Sequence, residues 1–242
     1  MPQRKPTFNW SLLDRKDLIK FLYLIHPEVS EKRISVSAFQ KIISKHLKSK
    51  LPITVSKKLD KFTEPGLVYV GGTYYSDYDK NHRRCIEISF FYNLDQKYLK
   101  LSKRGFYGIC ILATDTILHE IMHMRQYRRR NFKFLPDYAS TAEKSSQRQE
   151  QSYLGNSDEV DAYSFNIACD LMDKFKKDER KLANYLREGQ ILRRSSGWKM
   201  YLRAFDFNHN HPIIRRLKKK IIKYLPNARL GKPYKSKDWI NC

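Results

Sequence analysis

The chain has 242 residues, 41% of them hydrophobic, which is enough for one sizeable domain or two small ones with a buried core. Its formal net charge of +23 indicates attraction to polyanions such as nucleic acid, acidic proteins or anionic membranes, or else a solvated basic surface. Its four cysteines lack CxxC spacing, so neither a zinc ribbon nor a thioredoxin-type site is indicated.

The N-terminal residues lack the pattern of a secretory signal, because charged side chains interrupt every apolar run before it is long enough. The longest uncharged apolar segment, residues 105–114, is too short to span a bilayer. We therefore predict a cytoplasmic protein without a transmembrane segment.

Residues 1–60 predict a helical N-terminal portion. Ser11 and Asp14 have the spacing of a capping box, with Asp in place of the usual Glu, and begin a helix that ends near His26. A second helix is predicted from about Ser37. Both helices carry an apolar side and are interpreted as structural.

Beyond Gly66 the chain is predicted to form strands. The Gly71-Gly72 pair separates residues 67–70 from residues 73–75, a pattern that predicts a strand, a turn and a return strand. Residues 85–92, CIEISFFY, are rich in β-branched and aromatic side chains and predict the strongest strand of the chain.

A long helix is predicted from about Gly105 to Arg130, and it contains His119, Glu120 and His123 in HExxH spacing. On a helix, a separation of four residues puts both imidazoles on one face, where two nitrogens can bind one metal ion. Glu120 can then accept a proton from water at that metal. The alternative is a buried helix with two hydrogen-bonded histidines, which leaves the acid between them unexplained.

A catalytic zinc site needs three protein ligands and an open position for water. Glu159 is the candidate third ligand, in the first turn of a helix with a predicted cap at Asn156 or Ser157, one turn before Ala162 on the apolar side of that helix. Asp158 and Asp161 are rival ligands with less suitable orientation. Glu159 can also be a first-turn acid that complements the helix dipole. The polar residues 133–153, which precede this helix, predict a long mobile loop that can act as a lid.

These motifs resemble a family of metallopeptidases. HEIMH followed by Glu159-Val160-Asp161-Ala162 resembles the gluzincins, and the pattern Glu159-x-x-Ala162-x-x-Phe165-x-x-Ala168 is similar to ImmA/IrrE-type and HtpX-type peptidases. The resemblance implies that His119, His123 and Glu159 bind zinc and that Glu120 is the general base. It covers residues 85–225, although only the short motifs are specific.

Two further expectations depend on this resemblance. In many zincins an edge strand pairs with an extended peptide, and residues 85–92 are a candidate for it, although an ordinary sheet strand explains them equally well. HtpX-type peptidases carry a His-Pro and then an Arg after the glutamate ligand, which His211-Pro212 with Arg215 or Arg216 resembles at a shortened spacing. His211 is thus a candidate catalytic residue that stabilises the oxyanion, or else a helix cap.

The basic residues form two groups. Arg128, Arg129 and Arg130 complement the dipole at the C-terminal end of the HExxH helix and can also reach phosphates. Residues 213–242 contain ten basic residues and one acid, which makes them the strongest candidate for a polyanion contact, with a solvated face as the alternative. The strand CIEISFFY before TILHEIMH also resembles SprT-like proteins, which are associated with nucleic acid.

We therefore predict an α+β fold with a small mixed or antiparallel sheet. Residues 1–60 form the helical N-terminal portion, 61–225 a zincin-like catalytic domain and 226–242 a basic C-terminal tail. The predicted function is a Zn2+-dependent metalloendopeptidase acting on protein or peptide. The alternative is a basic nucleic-acid-binding protein on a zincin scaffold, or a protease tethered to nucleic acid.

Overall fold

The computed structural model describes residues 14–134, 146–175, 178–188 and 195–225. These residues contain ten helices and five strands, so the α+β class is confirmed. The chain divides after Arg128 into two compact units. The predicted basic tail, residues 226–242, lies outside the described residues, as does Ser11 of the predicted capping box.

The first unit carries all five strands. In chain order it contains α1 (Arg15–Tyr23), α2 (His26–Val29), β1 (Arg33–Ser35), α3 (Val36–Lys50), β2 (Thr54–Asp60), β3 (Tyr69–Tyr74), α4 (Ser76–Lys80), β4 (Ile86–Asn93), β5 (Tyr98–Lys100) and α5 (Lys103–Arg129), whose last residue belongs to the second unit. The described part of the second unit contains α6 (Ser146–Gly155), α7 (Ser157–Lys174), α8 (Glu179–Glu188), α9 (Ser196–Ala204) and α10 (Pro212–Lys223).

A three-stranded mixed sheet, in the order β2-β4-β3, organises the first unit. Strand β2 runs parallel to β4, and β3 runs antiparallel to it. Strand β4 is therefore central, and the expectation that residues 85–92 form an edge strand is wrong. Alternate β4 side chains are fully buried, as a central strand covered on one face requires; they are Ile86, Ile88, Phe90 and Tyr92.

The predicted hairpin at Gly71-Gly72 is also wrong, because β3 runs through both glycines as one strand. The glycines have a packing role, since a Cβ at Gly71 would lie 3.0 Å from the Phe91 ring. A glycine inside a strand permits such close approach as readily as it permits a turn. The sequence pattern alone does not distinguish the two.

The N-terminal portion contains more than helices. Its first helix is capped by Asp14, whose side chain accepts hydrogen bonds from the amides of Lys16 and Asp17. Strands β1 and β2 also lie within residues 1–60, and β1 pairs antiparallel with β5, another strand that the sequence did not predict. Such three-residue strands offer too few residues for a period-two pattern.

The second unit is helical in its described part, with α7 contacting α6, α8, α9 and α10. Trp198, Tyr201 and Leu217 are among the fully buried residues of its core. Helix α6 occupies residues 146–155, so the predicted loop over residues 133–153 is wrong there. Its polar sequence is held in place by buried Leu154 and by a hydrogen bond from Gln151 Nε2 to the Ala204 carbonyl at 2.8 Å.

Candidate metal centre

Helix α5 holds the two histidines of the HExxH motif close together. The Nε2 atoms of His119 and His123 are 3.0 Å apart, and both residues are 7% exposed. Two nitrogens bound tetrahedrally to one zinc ion at about 2.0–2.1 Å would be roughly 3.3 Å apart. The histidine pair therefore has the separation that a shared metal ion requires.

The contact of His123 with Gln126 indicates which of its two ring nitrogens carries the hydrogen. Its Nδ1 lies 3.0 Å from Oε1 of Gln126, and an amide oxygen only accepts, so Nδ1 carries the hydrogen. In the neutral ring Nε2 then keeps its lone pair, as a metal ligand must. Gln126 was not predicted as a site residue, although its i+3 position relative to His123 on the helix is the signal that could have identified it.

The side chain of Glu120 extends from α5 towards strand β3. It is 6% exposed, and a Cβ at Gly72 would lie 2.7 Å from its Cγ, its Oε1 and the Thr116 Cγ2. Only glycine lets the β3 backbone approach this closely. The second glycine of the pair therefore makes room for the carboxylate of the predicted general base.

Glu159 lies in the first turn of α7, as predicted. Asn156 caps the helix by accepting a hydrogen bond from the Asp158 amide at 2.8 Å, and Glu159 is 4% exposed. The two rival acids have cationic partners, since Asp158 pairs with Arg130 at 2.6 Å and Asp161 pairs with Lys220 at 2.9 Å. Glu159 is the acid of this helix start that belongs with the two histidines to a group able to hold a metal ion.

Two tyrosines lie close to the Glu159 carboxylate. Burial, and after it the charge of Glu159, raises the pKa of Tyr201 well above its ordinary value. Tyr153 is 47% exposed as a residue, yet desolvation of its phenol, the neighbouring Tyr163, and the charge and hydrogen bond of Glu159 raise its pKa as well. Both phenols thus keep their protons and can donate hydrogen bonds to a carboxylate.

His119, His123 and Glu159 form a buried group that can hold a metal ion. Each offers one ligand atom, and these atoms all lie within 4.8 Å of one another. Two imidazoles and one carboxylate are a donor set that zinc accepts in catalytic sites. The three residues predicted as ligands are thus suitable for a metal in their burial, spacing and chemistry.

The residues predicted around the oxyanion differ in their surroundings. His211 caps α10, since its Nδ1 accepts a hydrogen bond from the Ile213 amide at 3.2 Å; the cap is confirmed, and the catalytic role stays a prediction. Arg215 is exposed, whereas Arg216 is half-buried and donates to the Gly155 carbonyl. The charge of Arg216 also lowers the pKa of Tyr201 against the larger effect of burial.

Two of the three arginines expected to meet a dipole or phosphates form ion pairs with buried carboxylates. Arg128 donates to Asp79 through Nε at 2.7 Å and through a second nitrogen. Arg130 donates two hydrogen bonds of 2.6 Å to Asp158. Both pairs are bidentate, so these guanidinium groups are committed within the fold.

Comparison with protein-family models, curated proteins and solved structures found no match. Among the described helices none has the length and apolar character needed to cross a membrane. Because none of the three comparisons found a match, the resemblance to gluzincin-type peptidases depends on the short motifs alone.

Proposed function

We propose that this chain is a zinc-dependent metalloendopeptidase with a zincin-like catalytic domain. His119, His123 and Glu159 would hold the metal, and Glu120 would be the general base. The observation that supports the proposal best is the buried His-His-Glu group, in which the acid between the histidines is itself buried.

Each residue has a distinct part in the proposed reaction. A zinc ion bound there would act as a Lewis acid and lower the pKa of a water molecule. Glu120 accepts the proton of the attacking water and passes it to the leaving amine. Gln126 holds His123 in its ligand tautomer, and the low exposure of Glu120 strengthens its electrostatic effect on the reacting atoms.

Strand β3 is the proposed site of peptide pairing. It lies at one edge of the β2-β4-β3 sheet and approaches Glu120 closely at Gly72. An extended peptide can add to a free strand edge through backbone hydrogen bonds. We therefore propose for β3 the pairing with an extended peptide that the sequence suggested for residues 85–92.

Metal analysis combined with a peptidase assay tests the ligands. Wild-type protein is expected to contain one zinc per chain and to cleave a fluorogenic peptide library. Glu120→Gln should keep zinc and lose roughly 10²–10⁴ in rate, because it removes the general base. Glu159→Ala should lose zinc, whereas the matched control Asp161→Asn should keep it.

Two results would contradict the proposal. Wild-type protein purified without a bound transition metal would exclude the metal centre. Full cleavage by Glu120→Gln would exclude this residue as the base.

Substitution of Gly72 tests the close approach of β3 to Glu120. Gly72→Ala places a methyl group 2.7 Å from the Glu120 side chain, so we expect activity to fall while zinc is retained. Gly108→Ala is the control, because a Cβ there meets nothing within 4 Å and it should leave the rate unchanged. Equal rates for both variants would show that the approach does not position the base.

A further inference from the structure

Helix α10 concentrates positive charge. Six of its twelve residues are Lys or Arg, and none is acidic. Its opposite side is fully buried in the core through Ile214, Leu217 and Ile221. The helix is therefore anchored by its apolar face and presents its cations outward.

The six cations fall into two classes. Three have partners within the second unit: Arg216 donates to the Gly155 carbonyl, Lys220 pairs with Asp161 at 2.9 Å, and Lys218 lies 6.0 Å from the Trp198 ring centroid. Three are exposed and form no ion pair with any described residue. We call these three the α10 stripe; they are Arg215, Lys219 and Lys223.

The α10 stripe has a regular geometry. Its members are spaced four residues apart, so they lie on one face with a rise of about 6 Å between successive side chains. Helix α9 adds Lys199 and Arg203, which are exposed and also four residues apart. Both helices pack on α7, so one small unit carries five exposed cations on two helices.

We propose that the α10 stripe binds the phosphodiester backbone of nucleic acid without reading its base sequence. Regularly spaced, unpaired Lys and Arg gain affinity by releasing the counterions condensed on such a backbone. The proposal goes beyond peptide hydrolysis and does not require it. It also moves the polyanion contact from Arg128 and Arg130, which have carboxylate partners, to α10.

Two other polyanions suit the stripe less well. A helix that binds a membrane surface inserts its apolar face into the lipid, but the apolar face of α10 is buried in the core. A protein interface is usually centred on buried aromatic or aliphatic anchors. The α10 stripe consists of charged side chains, which suits phosphates.

The test measures binding of the full chain to a labelled duplex DNA of mixed sequence by fluorescence anisotropy over a range of salt concentrations. The variant combines Arg215→Gln, Lys219→Gln and Lys223→Gln. Loss of three phosphate contacts should reduce the slope of log K against log salt by about 2.7. Each single substitution should reduce it by about 0.9.

Helix α3 supplies the matched control. Its Lys41, Lys45 and Lys48 are also exposed, and changing them to Gln removes the same charge from the chain. This control should keep the wild-type slope. An equal loss in both triple variants would overturn the proposal, since binding would then follow net charge alone.

Binding to vesicles of phosphatidylcholine and phosphatidylserine, with none to duplex DNA or duplex RNA, would also overturn it. Circular dichroism of each variant checks folding. If the triple variant unfolds, the single variants still decide the test, because each of them is expected to reduce the slope of log K against log salt by about 0.9.

Discussion

The arginines at the end of α5 and the cations of α10 are alike in sequence and differ in the structure. Arg128 and Arg130 each hold a buried carboxylate with two hydrogen bonds. The α10 stripe, in contrast, has no carboxylate partner among the described residues. A count of charges therefore shows how basic a segment is, whereas the acids folded against it determine which cations can bind a partner.

The largest effect in this comparison is expected for Arg130→Ala. The side chains of Arg130 and Asp158 are 22% and 5% exposed, so the substitution removes two hydrogen bonds and a positive charge from a buried carboxylate. We expect the free energy of unfolding to fall by about 2–3 kcal/mol, measured by urea denaturation. Arg215→Ala is the control and should change it by less than about 0.5 kcal/mol.

A smaller effect is expected for Arg128→Ala. Asp79 is buried at 6%, but the Arg128 side chain is 48% exposed, so water weakens the pair. Asp79 also keeps a hydrogen bond from the Tyr74 hydroxyl at 2.9 Å. We expect a loss of about 1–2 kcal/mol. A loss larger than that of Arg130→Ala would show that burial does not rank these pairs.

The smallest effect compares two neighbouring lysines of α10. Lys220 pairs with Asp161 across side chains that are 34% and 21% exposed, whereas Lys219 belongs to the α10 stripe. Lys220→Gln should lower the free energy of unfolding by about 1 kcal/mol, and Lys219→Gln by less than about 0.5 kcal/mol. Equal losses would remove the distinction between paired and unpaired cations on this helix.

Local chemistry made several elements predictable from the sequence. Helix α5 has a long apolar side, α7 begins after a capping Asn156, and α10 begins after His211 with Pro212 in its first turn. The spacing of His119 and His123 is likewise a property of one helix. Such features depend on residues within one or two turns of each other.

The features that were missed depend on contacts between distant residues. Asp158 and Asp161 pair with Arg130 and Lys220, whose positions in the sequence do not reveal the pairing. Likewise, Gly72 marks close approach to Glu120, although its sequence pattern favours a turn. Tertiary packing overrides local propensity at each of these positions.

The parallel pairing of β2 with β4 has a consequence for folding. It joins Val55 to Ile88, and the chain must pass through β3 and α4 before the two strands can meet. Closing that loop costs entropy before any contact between the strands forms, whereas helix α5 grows by contacts between near neighbours. We therefore expect the two histidines to gain their helical spacing early, and β2 to join β4 only in a later step of folding.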